Sequence, residues 1–320
     1  MIYNPTAGPR DARRGLKRVR SYLRRRGWSV ELQLTEKAGD AITLSRAAAQ
    51  AGCDVVVVAG GDGTVNEAVN GLVGTETALS VLPVGTGNMW AKQLGIPTYT
   101  LTNPRRLREA AAGLTEGTIR AVDVGQANGC HFLCWAGIGL DAQVTTRMEP
   151  RQRYTKRLGA LPYAIAAVLI ARDFQGVRTR ASLDGSIVRG RTLLILVSNI
   201  QQYAGILPLA REARMDDGLL DVFVFKGLGF QYAVHHLLKI ISRRYLQDPQ
   251  VVHRQARHIE VWTEWAVPVQ VDGDPIGVTP ITLKVVPRAL RVLVPPGAPP
   301  GLFASTVQGE RSCRETHNML

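Results

Sequence analysis

The sequence predicts two domains, an α/β domain built on a parallel sheet followed by a β-sandwich domain. Strand and helix signals alternate through the first third of the 320 residues, as in a parallel sheet covered by helices. After about residue 120, strand-like runs separated by Asp-Gly turn signals predominate, which is typical of a sandwich. We expect the α/β domain over residues 1–122, the sandwich over 123–297 and a disordered tail over 298–320.

The elements of the first domain follow from the periodicity of its apolar residues. Leu16, Val19 and Leu23 recur at helical spacing in a basic stretch and predict an amphipathic helix over residues 11–26. The uniformly apolar residues 55–59 predict a strand buried on both faces. The other expected elements are a stub strand at residues 2–3, a strand over 28–34, a helix capped by Asp40 and ended by Gly52, a helix capped by Thr64 and ending near residue 73, a strand over 79–84 and a helix after Pro104.

The second domain is predicted from strand-like runs that two helical stretches interrupt, at about residues 157–172 and 229–245. The strands are expected at residues 119–124, 131–136, 178–183, 193–197, 220–225, 259–263, 267–271 and 281–286. An edge strand of such a sandwich could pair with a second copy of the chain and support a homodimer.

Composition limits the classes of function. The chain carries 39 lysines and arginines against 26 aspartates and glutamates, a net charge of +13, which favours an anionic partner such as nucleic acid, phosphates or an acidic membrane surface. No apolar run reaches the roughly 18 residues of a membrane span, and no signal peptide is evident. Four scattered cysteines indicate a reducing compartment. We expect a cytoplasmic protein that associates with a membrane only peripherally.

Two clusters of basic residues favour an anionic membrane surface as the partner. The first lies in the helix over residues 11–26, and the second leads into an apolar stretch over residues 158–171, which could lie at a lipid interface or line a lipid pocket. The clusters are Arg13, Arg14, Lys17, Arg18, Arg20, Arg24, Arg25 and Arg26, and then Arg147, Arg151, Arg153, Lys156 and Arg157. A solvated face and a core helix are the respective alternatives.

A glycine-rich loop follows the buried strand at residues 55–59. Gly60-Gly61-Asp62-Gly63-Thr64 stands between this strand and a helix, an order that directs backbone N–H groups and a helix N-terminus at a phosphate. The spacing fits neither the dinucleotide fingerprint nor the P-loop. Asp62 indicates a cation, because a carboxylate beside phosphates needs its charge neutralised, and Mg²⁺ is the usual choice. A tight turn that contains a structural aspartate is the alternative.

A second glycine-rich loop, Gly85-Thr86-Gly87-Asn88, follows the next buried strand. Ligands of open α/β sheets bind beyond the carboxyl ends of the strands, so we expect the two loops to flank one site. Each loop alone is weak evidence, but together they favour a nucleotide site over two structural turns.

These segments resemble signatures of the diacylglycerol kinase catalytic-domain family, which includes bacterial lipid kinases and the sphingosine and ceramide kinases. The matching segments are Asn4-Pro5-Thr6-Ala7-Gly8, residues 60–67, residues 83–88, Gly137-Ile138-Gly139-Leu140-Asp141-Ala142, residues 215–222 and Val271-Asp272-Gly273-Asp274-Pro275. The resemblance spans about residues 2–297 in the order of the family. It implies a phosphofructokinase-like α/β nucleotide-binding domain followed by a β-sandwich domain.

The resemblance also implies roles for individual residues. ATP would be bound by Asn4, Thr35, Gly61, Asp62, Gly63, Thr64, Asn66 and Thr86. Asp62 would hold the catalytic Mg²⁺ or orient the phosphates, and Asp217, with neighbouring carbonyl groups, would bind a second, structural Mg²⁺. Asp274 would be the general base that takes the proton from the lipid hydroxyl group.

Two residues depart from the pattern of the family. The general base is usually glutamate, whereas Asp274 is one methylene shorter, and many members have aspartate where Met89 stands. Phosphoryl transfer depends on positioning and charge stabilisation, so neither change need abolish activity. Asp272-Gly273 is in addition a common hairpin signal, which offers a purely structural interpretation of this segment.

The resemblance therefore predicts an ATP- and Mg²⁺-dependent lipid kinase, with diacylglycerol as the leading substrate and phosphatidic acid as the product. An NAD kinase-like enzyme shares the Gly-Gly-Asp-Gly-Thr loop and is the nearest alternative. A nucleotide-binding regulatory protein without turnover is a second alternative, motivated by Met89 and Asp274. A nucleic-acid-binding module would have only the net charge in its favour, so we expect no nucleic-acid partner.

Overall fold

The computed structural model describes residues 1–8, 11–99, 103, 105–148, 175–203 and 207–304. The chain forms two compact units, of which the second is Val124–Pro287. The first combines Met1–Asp123 with the described residues from Arg288 on. The predicted sandwich domain runs to residue 297, whereas the chain enters the first unit at Arg288. The difference arises because one long strand, Ile281–Val294, begins in the second unit and ends in the first.

The first unit is a parallel sheet with the strand order β4-β3-β1-β2. Its elements are β1 (Ile2–Tyr3), α1 (Arg13–Arg25), β2 (Gln33–Leu34), α2 (Asp40–Gln50), β3 (Val55–Gly60), α3 (Asp62–Leu72), β4 (Ala78–Pro83), α4 (Met89–Gln93) and α5 (Arg106–Glu116). The central strands β3 and β4 are almost entirely buried, which explains their uniformly apolar sequences. The stub strand β1 is retained because Tyr3 is fully buried and both neighbouring strands pair with it.

Three predictions about the first unit are wrong in detail. The strand expected over residues 28–34 is only two residues long, because the Val30 carbonyl accepts hydrogen bonds from the Arg20 and Arg24 side chains, at 3.1 and 3.2 Å. Asp40 does not cap α2. Its carboxylate accepts hydrogen bonds from the preceding turn. Thr64 does not cap α3 either, since the helix begins two residues earlier, at Asp62.

The second unit is predominantly antiparallel. Its elements are β5 (Thr118–Ala127, whose start belongs to the first unit), β6 (Cys130–Phe132), β7 (Trp135–Gly139), α6 (Leu140–Met148), β8 (Val177–Leu183), β9 (Ser186–Ser198), β10 (Gln202–Tyr203), β11 (Leu207–Pro208), β12 (Leu220–Lys226), α7 (Gly229–Ile241), β13 (Val251–Ala256), β14 (His258–Thr263), β15 (Pro268–Val271), β16 (Asp274–Val278) and β17 (Ile281–Val294). The main strand order is β16-β15-β7-β9-β8-β14-β17, and β12 joins β9 to β13.

Strand β12 shows how the second unit buries two layers of side chains. Val222 and Val224 point into one apolar core, whereas Phe223 and Phe225 point into a second core on the other face. Tyr245 belongs to the second core, and the α7 residue Ile240 packs against it. Because successive side chains of a strand alternate between faces, a strand covered on both sides reads as uniformly apolar. The predicted combination of an α/β domain and a β-sandwich domain is thus confirmed.

Several predictions for the second unit need correction or lie outside the described residues. The strand expected over residues 131–136 is divided between β6 and β7, and the helix expected over 229–245 ends at Ile241. The helix at about 157–172, the basic cluster around residues 151–157 and the tail from residue 305 lie outside the described residues. The start of the predicted tail forms a short 3-10 turn, Pro300–Leu302, in which Leu302 is buried. Within the described ranges, no helix is both long and apolar enough to span a bilayer.

Candidate functional site

The first glycine-rich loop is the first turn of α3. The Val65 N–H donates to the Gly61 carbonyl at 3.1 Å and so makes the first hydrogen bond of the helix. The N–H groups of the first helical turn have no acceptors within the helix, and they combine with the helix dipole to attract anions. Gly60 has to be glycine here, because a Cβ atom would lie 2.7 Å from Cβ of Thr64. The β3–α3 junction thus presents a helix N-terminus directly after a buried parallel strand.

The second glycine-rich loop packs directly on the first. A Cβ atom on Gly85 would lie 2.4 Å from Cα of Gly61, and a Cβ atom on Gly87 would lie 2.4 Å from Oδ2 of Asp62. The buried Asn88 closes this loop, because its amide group donates to the Gly85 carbonyl at 2.7 Å. The two loops therefore meet backbone against backbone, which only glycine permits at these positions.

Asp62 links the two loops through its side chain. Its Oδ1 atom accepts a hydrogen bond of 2.6 Å from the Met89 N–H, at the start of α4. Asp62 is itself the first residue of α3 and is half-buried. A carboxylate is thus held at the point where two helix N-termini and two glycine loops meet.

A third loop, residues 4–8, completes this arrangement. The Asn4 amide donates to Oγ1 of Thr64 at 2.9 Å, while its carbonyl oxygen accepts hydrogen bonds from the N–H and hydroxyl groups of Thr6. Gly8 has a φ of +74° and lies against Val84, so that a Cβ atom would be 2.0 Å from the Val84 carbonyl oxygen. The loops that follow β1, β3 and β4 therefore contact one another at the carboxyl ends of these strands.

The structure brings Asn4, Gly61, Asp62 and Thr64 into this cluster of loops. Gly63 is exposed in the first turn of α3, and Thr86 is exposed on the second loop. Thr35 is buried directly after β2, where its N–H donates to the Tyr3 carbonyl at 3.0 Å. Asn66 is buried one turn into α3, and its carbonyl accepts a hydrogen bond from the Asn70 side chain. The other predicted site residues, Asp217 and Asp274, belong to the second unit.

Asp274 begins β16, directly after a two-residue hairpin turn. Asp272 and Gly273 have φ values of 49° and 94°, and Val271 pairs with Asp274 across the turn. The Asp272 carboxylate accepts three backbone hydrogen bonds, from Leu133 at 2.6 Å and from Cys134 and Trp135 at 2.9 Å. Asp272 therefore fixes the turn to the β6–β7 segment, and the half-buried Asp274 occupies a well-supported position beside it.

A partly buried network of polar side chains also supports this turn. Asp141, at the start of α6, accepts hydrogen bonds from the Tyr203 hydroxyl group and, at 2.5 Å, from the Gln270 amide. The side-chain oxygen of Gln270, Oε1, in turn accepts a hydrogen bond of 2.7 Å from the Gly273 N–H. Burial raises the pKa of Asp141, although the hydrogen bonds from Tyr203 and Gln270 oppose that shift. A continuous chain of hydrogen bonds thus leads from Tyr203 to the turn that carries Asp274.

Asp217 lies in the turn before β12, where its Oδ1 atom accepts the Leu219 N–H at 3.0 Å. Asp217 is half-buried and Gly218 has a φ of +71°. Half-buried carboxylates in loops suit Mg²⁺, which binds through one or two carboxylates and keeps several water ligands. Asp217 meets this description, and Asp62, in the first turn of α3, is a second half-buried carboxylate, so each could supply oxygen ligands to a divalent cation.

Comparison with known families now decides the relationship. A sequence model for the diacylglycerol kinase catalytic domain matches residues 1–127, and a model for the YegS C-terminal NAD kinase beta sandwich-like domain matches residues 135–294. The chain belongs to the diacylglycerol kinase catalytic-domain family. The two matches follow each other along the chain, and the last residues of the second match, from Arg288 on, belong to the first unit.

Relatives in the diacylglycerol kinase family cover nearly all of the chain. A diacylglycerol kinase from Bacillus subtilis is 28% identical over 297 residues, which are 92% of this chain and 95% of that protein. A diacylglycerol kinase from Staphylococcus carnosus is 28% identical over 298 residues, with coverage of 92% and 94%. A crystal structure of a diacylglycerol kinase from Bacillus anthracis has a TM-score of 0.69 at 25% identity and covers 93% of this chain and 97% of that chain.

Sequence reasoning misses the supports of the turn in this member of the diacylglycerol kinase family. Gln270 and Tyr203 carry no recognisable signal, and Asp141 stands out only as part of a matching segment. The structure gives that segment a physical reason, because a Cβ atom on Gly137 would lie 2.0 Å from the Asp141 carboxylate. An aspartate four residues after a glycine, at the end of a buried strand, could have indicated this packing.

Proposed function

We propose that the protein is a lipid kinase that uses ATP and Mg²⁺ to phosphorylate a lipid hydroxyl group, with diacylglycerol as the leading acceptor and phosphatidic acid as the product. The observation that carries this proposal is the cluster of three loops around Asp62, at the carboxyl ends of β1, β3 and β4. Such a cluster offers backbone N–H groups to phosphates and a carboxylate to a cation, which are the two requirements of a bound nucleoside triphosphate.

The first unit supplies the nucleotide site in this proposal. The N-terminal turn of α3 would bind phosphate oxygens through its N–H groups. Asn4, Thr35, Asn66 and Thr86 would contribute polar contacts to ATP from the neighbouring loops and from α3. The glycine loops already contact each other. The loops of this nucleotide site would therefore need little reorganisation when ATP binds.

Two carboxylates are proposed to hold magnesium. Bound Mg²⁺ neutralises the charge that develops on the transferred phosphoryl group. Asp62 would hold this catalytic ion beside the phosphates, and Asp217 would bind a second, structural ion together with neighbouring carbonyl groups.

Asp274 is proposed as the general base that accepts the proton of the lipid hydroxyl group. Its neighbours restrict its position, since Asp272 anchors the turn through three hydrogen bonds and Gln270 holds the Gly273 N–H. A base on a fixed turn has little freedom to lose when substrate arrives, which lowers the entropic part of the barrier.

Transfer of labelled phosphate from ATP to a panel of acceptors tests the proposal. Diacylglycerol, monoacylglycerol, ceramide and a sphingoid base are offered in anionic mixed micelles with Mg²⁺, and NAD is offered as a soluble acceptor. We expect label on a lipid with the wild-type protein, and about 100-fold less with Asp62→Asn, since removal of one electrostatic group typically costs that much. Asp54→Asn, an exposed carboxylate just before β3, should retain full activity.

The other outcomes of this assay are equally informative. Label on NAD in place of lipid would assign an NAD kinase-like activity. Binding of ATP without transfer to any acceptor would select the regulatory alternative, with Met89 and Asp274 as the residues to examine. Equal activity of Asp62→Asn and the wild type would remove Asp62 from the mechanism.

We further propose that the enzyme meets its lipid at an anionic membrane surface, through α7. Phe230, Leu237, Leu238 and Ile241 are exposed at helical spacing along one face of α7. Arg243 and Arg244 follow directly after the helix and are exposed as well. An apolar stripe beside cations is the arrangement with which amphipathic helices enter the headgroup region. In the first unit, helix α1 and the residue that follows it carry seven exposed cations: Arg13, Arg14, Lys17, Arg18, Arg24, Arg25 and Arg26.

Sedimentation with vesicles tests this docking face. Full burial of a leucine or isoleucine contributes about 1.5–3 kcal/mol, so we expect the double variant Leu238→Glu with Ile241→Glu to bind phosphatidylglycerol-containing vesicles at least about tenfold more weakly. Ile187→Glu, which replaces an exposed isoleucine on β9, serves as the matched control and should bind like the wild type. Equal losses in the control and the α7 variant would contradict the assignment to α7.

A homodimer remains part of the proposal. Strand β13 is its candidate interface, because in the described part of the chain it pairs only with β12 and so leaves one edge open. Analytical ultracentrifugation of the full chain measures the oligomeric state directly.

A further inference from the structure

Two histidines of α7 and an aspartate of the following turn form a compact cluster of potential metal ligands. His235, His236 and Asp248 each offer one ligand atom, and these atoms all lie within 4.8 Å of one another. Within the described ranges, no other three side chains of histidine, cysteine, aspartate or glutamate form such a group. The cluster contains none of the residues that are proposed to bind ATP, to bind Mg²⁺ or to accept the proton of the lipid.

His236 is buried and, among the described residues, is held by a hydrogen bond through only one of its two ring nitrogens. The side chain is buried, with 5% exposure, and its Nε2 atom lies 2.7 Å from the Lys226 carbonyl oxygen. A carbonyl can only accept, so Nε2 carries the proton and donates, and in the neutral ring Nδ1 is then the acceptor. In the described part of the chain this buried Nδ1 atom has no hydrogen-bond partner. Burial lowers the pKa of His236, which favours the neutral ring.

The Lys226 carbonyl orients this histidine by accepting a hydrogen bond from its ring. Metal-binding histidines almost always donate their second ring N–H to a carbonyl or carboxylate group, which fixes the tautomer and the ring plane. Phe225 also packs edge-on against His236, with ring centroids 5.3 Å apart. The ring is therefore oriented before any ligand arrives.

Asp248 and His235 complete the donor set. The Asp248 side chain is only 4% exposed and is hydrogen-bonded to Nε2 of His235, whose side chain is 44% exposed. Burial opposes ionisation of Asp248, but hydrogen bonds from the Gln250 N–H and from His235 lower its pKa overall. The cluster thus offers a buried carboxylate, a buried imidazole and a second imidazole that is open to solvent.

We propose that His235, His236 and Asp248 bind Zn²⁺. Ligand atoms around a tetrahedral zinc ion with bonds of about 2.0–2.1 Å lie roughly 3.3 Å apart. The hydrogen-bonded atoms of His235 and Asp248 would therefore move apart, and any of the three atoms farther away, up to 4.8 Å, would move closer. The ion would take the place of the His235–Asp248 hydrogen bond and would bind Nδ1 of His236. Two histidines and one carboxylate are a frequent zinc donor set, in which water occupies the fourth position.

The proposed ion would act as a clamp on α7. His235 and His236 lie in the middle of this helix, whereas Asp248 follows the 3-10 turn Tyr245–Gln247 after the helix has ended. Bound Zn²⁺ would therefore tie the helix to the turn and to the start of β13. A ligand that binds only the folded state raises its stability, so zinc should stabilise this region of the protein.

The chain contains its own control for this site. His253 and Asp221 form another histidine–aspartate pair, with 2.7 Å between Nε2 and Oδ1, but within the described residues no third metal ligand joins them. His253→Gln therefore removes a paired histidine from the same unit without touching the proposed site. His236→Gln is the matched test, because a glutamine amide can still donate to the Lys226 carbonyl while it lacks the Nδ1 ligand.

Calorimetric titration of Zn²⁺ into tag-free, chelator-treated full-length protein tests the proposal, with Co²⁺ absorption as a report on coordination geometry. We expect one zinc ion per chain in the wild type and in His253→Gln, and tetrahedral Co²⁺ bands in both. His236→Gln should bind zinc at least about 100-fold more weakly, since even loss of an outer support of a ligand can cost 10–100-fold. Zinc should raise the melting temperature of the wild type and leave that of His236→Gln unchanged.

Two results would overturn the assignment. Wild-type protein that binds no zinc in calorimetry, with an unchanged melting temperature, would show that the cluster is only a hydrogen-bonded pair beside a buried histidine. Zinc binding that persists undiminished in both His236→Gln and Asp248→Asn would place the ion elsewhere. Because none of these readouts is kinase activity, failure of the zinc site and failure of the proposed kinase function are distinguishable.

Discussion

Replacement of Asp274 by asparagine should lower kcat about 10²–10⁴-fold, the contribution of a positioned general base. The amide keeps the size of the side chain and its place at the start of β16, but it cannot accept a proton. The KM for ATP should stay near its wild-type value, because Asp274 belongs to the second unit and not to the loops proposed to bind ATP. Steady-state transfer of labelled phosphate to diacylglycerol measures both constants.

Two companion variants make this test specific. Asp274→Glu retains a carboxylate and has the residue that is usual in the family, so its kcat should stay within about tenfold of the wild-type value. Glu264→Gln removes an exposed carboxylate of the same unit and should change nothing. If Asp274→Asn transfers phosphate as fast as Glu264→Gln, a different group must accept the proton.

Replacement of the adjacent Asp272 by alanine should destabilise the fold by about 3 kcal/mol. Each hydrogen bond to a charged group contributes about 1.5–3 kcal/mol, and three bonds to one carboxylate are not additive. The N–H groups of Leu133, Cys134 and Trp135 would lose their acceptor together. Urea denaturation, monitored by tryptophan fluorescence and by circular dichroism, measures the free energy of unfolding.

The exposed hairpin between β8 and β9 provides the matched control. Asp184 has a φ of 48° there, precedes Gly185 and accepts backbone hydrogen bonds from Arg257 and His258, but its side chain is exposed. Water can replace an exposed acceptor, so Asp184→Ala should cost only about 1 kcal/mol. Equal losses for the two variants would mean that Asp272 is not the anchor of its turn.

The sequence reveals the strands and loops of the nucleotide site because these features are local. A strand buried on both faces is uniformly apolar, and the glycines that follow β3 and β4 mark places where backbones meet. The sequence pattern predicts the start of α3 two residues late, because Asp62 and Gly63 resemble loop residues although they form the first helical turn. The short helix α4, Met89–Gln93, is not predicted at all, whereas the other errors here concern boundaries.

The sequence does not reveal contacts between residues that are distant along the chain. Asn4 meets Thr64 across 60 residues, and Asp141 meets Gln270 across 129 residues. Neither pair has a spacing or a periodicity that would connect its members. Asp272 is a further example. Its Asp-Gly turn signal predicts a hairpin, but it does not predict the hydrogen bonds that its carboxylate accepts from three backbone N–H groups.

The path of β17 has a consequence for folding of the protein during its synthesis on the ribosome. The first unit is not complete at Asp123, because Leu290 and Val292 are fully buried in it and Val292 pairs with Leu79 at the open edge of β4. The whole of Val124–Pro287 must therefore be synthesised before that edge is covered. Domains usually fold in the order of their translation. Here the second unit is fully synthesised at Pro287, before the last residues of the first unit.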